Sequence, residues 1–225
     1  TCNVKGIPED RTRFYLELTG GAAPYLRAVR QIKAGATRHW GPLPWTRRMR
    51  EAIRAVNLHF RLRECPRPHP PLFPGGSALL MLGQAGGPSG CMRHGLGLCI
   101  APCLAGASRQ EYGNAVGACL AFLGGDSVAT VGLERAMHAA ASETDFERAA
   151  TLRDRMQQMT YLQAHLGRLE AAWSLHGVHA VLGPSGVETW YLLHRGRIIE
   201  ALARPRKSTQ ALGRLRKLLG ARDGL

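Results

Sequence analysis

The sequence has few aromatic residues, 6% of the total, and only four lysines among its 30 basic side chains. It has no run of 18 apolar residues, so a membrane-spanning helix is not expected. The first ten residues, TCNVKGIPED, do not read as a secretory leader, and no initiator Met precedes them. The expectation is a cytoplasmic chain with no membrane partner, and an internal piece or a truncated or fused relative of something longer. In that setting the six cysteines are not a disulfide framework. No GxxxxGK[ST], HExxH or paired-carboxylate pattern occurs, which argues against an ATP loop and against a self-contained hydrolytic centre. Glu9-Asp10 reads as a solvated turn.

What is present is 225 residues, 45% hydrophobic, with a net charge of +14. That length suffices for a core in one domain or in two to three small ones. The charge is uneven: +11 over residues 1–109, −4 over 110–194 and +7 over 195–225. Arginine dominates the basic residues, and its planar fork suits phosphate. A basic–acidic–basic layout predicts two polyanion-facing segments, with DNA as the expected partner, around a middle segment for another task.

RFYLELT (13–19) alternates as a strand, with YLRAVR (25–30) as its partner across Gly20-Gly21 and Pro24. From Thr46 to His59 the period is helical, with Met49, Ile53, Val56 and Phe60 on one face. Arg47, Arg48, Arg50 and Arg54 lie largely on the others. With Arg61 and Arg63 they are the candidate DNA contacts. Prolines and glycines over 66–90 predict a surface insertion around a short helical SALLML piece.

Ser108-x-x-Glu111 is a capping box opening a helix that should end at Gly124-Gly125. A second helix is expected over 128–141. Thr144-x-x-Glu147 reads as another capping box, opening a third helix to about Glu170 and so making a helical hairpin. HAVL, VETWYLLH and RIIEALA then predict a small β-meander over 178–202, and 208–219 a short basic helix.

Cys91, Cys99 and Cys103 cluster in CMRHGLGLCIAPC, with Cys65 upstream. Their irregular spacing suits an iron–sulfur cluster or zinc, and suits buried thiols equally well. His94 is a weaker ligand. Cys119 shares a helix face with Val116, Leu120 and Leu123 and reads as core.

FRLREC (60–65), CMRHGLGLCIAPC (91–103), EYGNAVGACLAFLGGDS (111–127) and MHAAASETDFERAATLRDRM (137–156) stand in one order over about 100 residues. Together they resemble the central region of the UvrC excinuclease family, the last piece being its UVR motif. Upstream, RFYLELT and RHWGPLPWTRRMREAIRAVNLHF resemble the distal half of that family's GIY-YIG nuclease domain. The family's Pro before the second Cys is here Ser89-Gly90, and the Cys65–Cys91 gap is longer than usual.

The resemblance implies an α+β chain. Its parts are a partial GIY-YIG-type α/β half-domain (1–64), a Cys-rich region (65–126), a UVR helical hairpin (127–170) and a small β-rich segment with a basic tail (171–225). It implies a part in nucleotide excision repair. Asn3 matches an active-site asparagine, but the family's other catalytic residues are not in this sequence, so the chain alone is not expected to cut DNA. Cys65, Cys91, Cys99 and Cys103 would hold an iron–sulfur cluster, with zinc as the alternative. Phe146, Glu147, Ala149, Ala150, Arg153 and Asp154 would dock a UvrB-type subunit. The competing expectation is an adaptor that uses the hairpin to bind a Clp-type chaperone or a kinase without DNA.

Overall fold

A computed structural model of the chain describes residues 13–32, 38–65, 70–74, 90–204 and 213. Asn3, the SALLML piece and the expected helix over 208–219 lie outside those residues, apart from position 213. The chain divides into two compact units, Thr1–Leu166 and Gly167–Leu225. Helices and two three-stranded antiparallel sheets make it α+β, as expected.

In the first unit, β1 (Arg13–Leu18) is the central strand, with β2 (Leu26–Val29) and β3 (Arg38–Pro44) antiparallel on either side. Phe14, Leu16 and Leu18 are buried, as the alternation predicts. Glu17 breaks the pattern: it is buried, and its Oε1 accepts from Arg27 Nε and Nη2 at 3.1 and 2.8 Å across the β1–β2 register. A buried carboxylate is tolerable only when paired in this way.

The strand β3 has no counterpart in the sequence reading. Its RHWGPLP stretch holds two prolines, which demote a strand pattern to an edge strand, and β3 is an edge. Gly41 sits where β3 crosses β1. A Cβ there would meet Tyr15 Cδ1 at 2.9 Å and Phe14 O at 3.0 Å, and its φ of +142° favours glycine.

Helix α1 (Arg47–His59) is capped by Thr46, whose Oγ1 accepts from Met49 N at 3.1 Å. Met49, Ile53 and Val56 are buried beneath it, and Phe60 closes its end against Phe122. Asn57 docks α1 onto the edge of β2. Its Oδ1 accepts from Leu26 N at 3.1 Å and its Nδ2 donates to Leu26 O at 2.8 Å, so one side chain satisfies both backbone groups of an edge-strand residue.

After a single turn, α2 (Met92–Gly95), come α3 (Arg109–Leu123), α4 (Val128–Ser142) and α5 (Phe146–Trp173). The capping box at Ser108 and Glu111 forms in both directions, and α3 stops at Gly124. The second expected box does not form. Thr144 has φ +60° and turns its hydroxyl to Glu143 O, while Asp145 caps α5 by accepting from Arg148 N at 3.1 Å. The left-handed turn places Asp145, one residue later, in the capping position. Gln163 on α5 donates to Phe122 O and Asp126 O, both at 2.9 Å, satisfying carbonyls at the end of α3. Among the described residues no single helix is long and apolar enough to cross a membrane.

The second unit holds the end of α5 and the expected meander, β4 (Gly177–Leu182), β5 (Glu188–His194) and β6 (Arg197–Ala203). Gly196 in the β5–β6 turn lies against the Ala172 carbonyl and donates to Leu175 O at 3.0 Å; a Cβ would clash there.

Candidate functional site

Three places bring sequence-predicted site residues together: the cysteine segment, a cleft beside α1, and the tip of the α4–α5 hairpin. The cysteine segment is held by two backbone bonds and one from a side chain. Ile100 N donates to Arg61 O, Arg61 Nε to Gly97 O, and Leu72 N to Pro102 O, at 2.7–3.1 Å. Between Cys99 and Cys103 the chain turns through Ala101, at φ +52°, a conformation that costs a non-glycine residue about 1 kcal/mol. Gly106 packs against this turn, its Cβ position 3.1 Å from Ala101 Cβ.

Cys99 and Cys103 are buried, and Cys65 and Cys91 half-buried. Burial pushes the Cys99 and Cys103 thiols up. Cys65 acts on both in the same sense and Cys91 on Cys103, while Arg93 and Arg63 oppose the shift at Cys99 and Cys103 respectively. Ala101 N donates to Cys99 Sγ at 3.3 Å. Cys65 therefore lies near both buried thiols and Cys91 near Cys103, with Arg93 and Arg63 beside them; thiolates are the ligand type that a soft metal or an iron–sulfur cluster takes. Among the described residues no three His, Cys, Asp or Glu side chains are drawn around one point. Cys119 is fully buried, and burial alone pushes its thiol up to about 12, as a core residue requires.

The six arginines separate into two groups. Arg61 bonds Gly97, Arg63 lies over the Tyr25 ring at 5.6 Å, and Arg48 lies over the Tyr161 ring at 4.2 Å. None of these three lines the cleft beside α1. Arg47, Arg50 and Arg54 instead line an open cleft of about 780 Å³ between β2 and α1, joined by Arg27 and Arg93, which sequence reasoning missed. Cys65 is on its wall.

At the hairpin tip Phe146 is 68% exposed. With Met137, His138, Ala141, Ala149, Ala150 and Arg153 it lines a shallow pocket of about 320 Å³. Glu143, Asp145 and Glu147, close to Phe146 along the chain, are exposed. Arg153 bonds its neighbour Asp154 at 2.8 and 3.0 Å rather than reaching across the hairpin. Asp154 lines a separate groove with Arg47 and Arg48.

Residues 13–122 match the UvrC/Cho excinuclease middle domain, and residues 131–159 match the UvrB/uvrC motif. The chain belongs to the UvrC family. UvrABC system protein C of Haemophilus ducreyi is 34% identical over 165 residues, 70% of this chain and 24% of the relative. The proteins of the same name from Desulfitobacterium hafniense and Aromatoleum aromaticum are 30% and 33% identical over 155 and 161 residues. These cover 68% and 71% of this chain, and 22% and 24% of the relatives. The chain thus spans about a quarter of the length of the curated relatives it matches. No solved structure matches it.

The UvrC middle-domain match ends at Phe122, and the UVR match contains the whole α4–α5 turn. The UvrC and UVR resemblance read from the sequence therefore holds, over the segments that carried it. Tyr112 was not singled out by sequence reasoning. Its hydroxyl ties the cysteine segment to the sheet, and a lone Tyr inside a helical pattern carries no signal of so distant a partner.

Proposed function

We propose that this chain works in nucleotide excision repair as the part of a UvrC-type excinuclease that binds DNA and docks a UvrB-type subunit. On this reading the nuclease centre is incomplete within this chain, and the β1–β3 sheet with α1 is the distal half of a GIY-YIG-type domain. Cys65, Cys91, Cys99 and Cys103 would hold an iron–sulfur cluster, with zinc as the alternative; such a group supplies a rigid cross-link between the Arg61–Cys65 segment and the Cys91–Cys103 segment.

The observation that carries the docking reading is the exposed Phe146 ring at the rim of a small apolar pocket. The ring is 68% exposed while Ala149, one turn on, is 8% exposed, so the hairpin's own core does not use it. Large aromatic side chains left over such a pocket are typical anchors of protein–protein contacts. The exposed Glu143, Asp145 and Glu147 would select a basic counterpart. The adaptor alternative draws no support from a chain whose residues 13–122 match the UvrC middle domain.

The test is a binding titration with a UvrB-type C-terminal hairpin, alongside circular dichroism. Phe146→Ala should retain helicity and lose about 2 kcal/mol or more of binding. Undiminished binding by a folded variant shows that another face docks. Loss of helicity shows that Phe146 only holds the hairpin together.

A further inference from the structure

Helix α1 opens with Arg47-Arg48-Met49-Arg50, and its first turn holds no acidic residue. This runs against the helix dipole, which favours anions at that end and disfavours cations. A local rule broken so consistently is expected where function requires it. Arg47 and Arg50 of that turn project to the cleft between β2 and α1, where Arg54, Arg27 and Arg93 join them.

The carboxylates present are fewer than the guanidiniums. Arg47 bonds Glu51 at 2.7 Å; Arg54 and Arg93 share Glu64 at 3.8 and 3.3 Å; Arg27 holds Glu17. Arg50 lies 5.4 Å over the Trp45 ring. The Arg93 Nε is buried with no acceptor. The Arg47 and Arg54 side chains are 86% and 76% exposed, so their ion pairs contribute little and exchange readily for another anion.

Resting on the reading that this chain binds DNA, we propose that the cleft between β2 and α1 binds the phosphodiester backbone of a single DNA strand. Arg27, Arg47, Arg50, Arg54 and Arg93 are its phosphate contacts. The cleft has the volume of a small-ligand pocket, which suits one backbone entering between two walls rather than the convex surface of a duplex. Tyr25 also lies on the wall, its ring beside the Arg63 guanidinium at 5.6 Å. Guanidiniums bind phosphate bidentately, and each contact releases counterion.

The experiment is fluorescence anisotropy of the full chain with a labelled oligo-dT, and with a labelled duplex, at a series of salt concentrations. Wild-type protein should bind the single strand more tightly than the duplex, with a steep inverse salt dependence. Arg50→Gln/Arg54→Gln should weaken single-strand binding several-fold. It should also flatten the log–log salt slope by about 0.7 for each guanidinium removed. Arg54→Gln alone, at a largely exposed side chain, should give half that change, and it serves if the double variant does not fold. Arg135→Gln, on α4 and outside the cleft, removes one charge and should leave the slope nearly unchanged. If Arg54→Gln behaves as Arg135→Gln while wild-type protein binds, the cleft assignment is overturned and the DNA reading stands. Wild-type protein that binds no DNA at low salt overturns both. Equal binding of duplex and single strand by wild type overturns the single-strand assignment.

Discussion

The Tyr112 hydroxyl on α3 donates to the carbonyl of Pro24, 88 positions earlier, at 3.0 Å. The same oxygen accepts from Arg63 N at 3.1 Å. One buried phenol thus joins the β1–β2 connection, the segment leading to Cys65, and the helix that follows the cysteines. Burial and the nearby thiols hold the phenol protonated well above its ordinary range, so it remains a donor at any working pH. Tyr112→Phe leaves a carbonyl and an amide without their partner. The expected loss is about 2 kcal/mol of stability, read as a lowered midpoint in urea. An unchanged midpoint would show that water replaces the hydroxyl at no cost.

The thiols provide a second prediction, on the proposed cluster reading. Protein purified without oxygen should carry iron and a visible sulfide-to-iron absorption band. Cys99→Ser should lose both. Cys119→Ala should keep both, because its side chain is fully buried in the α3 core and none of the other thiols acts on it. Stoichiometric zinc in colourless wild-type protein would select the alternative metal. Equal iron in the Cys99→Ser and wild-type proteins would remove Cys99 from the ligand set.

A pH dependence follows from His59, at the last position of α1 and edge-on to Phe60 at 4.8 Å. Burial first, and the Arg155 charge second, lower its pKa below the ordinary 6.5. The unfolded chain then takes up a proton at a pH where the folded one does not. Stability from this group is complete above pH 6.5 and declines as pH falls through that value toward the folded pKa. Urea midpoints measured from about pH 8 to pH 5 should fall on the acid side, and His59→Gln should remove that part of the fall. An identical pH profile in the variant would assign the fall to other groups.

The helical half of the fold was legible because its signals are local. Ser108 and Glu111 satisfy each other's backbone groups within one turn, Gly124 ends α3, and Arg195-Gly196 forms the tight turn of a meander whose strands alternate or run apolar. The capping box at Thr144 failed for an equally local reason. The left-handed Thr144 passes the capping role to Asp145, which the expected box did not include. Strand β3 was hidden because prolines and a glycine read as loop, and only pairing with β1 makes them an edge strand.

The candidate sites divide in the same way. The sequence alone determined the order of the cysteines, the excess of arginine and the UVR hairpin, since each is a matter of residue type and short spacing. Tertiary structure decided which arginines face the cleft and which do not. It brought in Arg27 and Arg93 from segments far from α1, and left Phe146 outside the core while burying Ala149. Those outcomes depend on which surfaces meet after the chain closes over long separations, and helix periodicity records only the faces available for meeting.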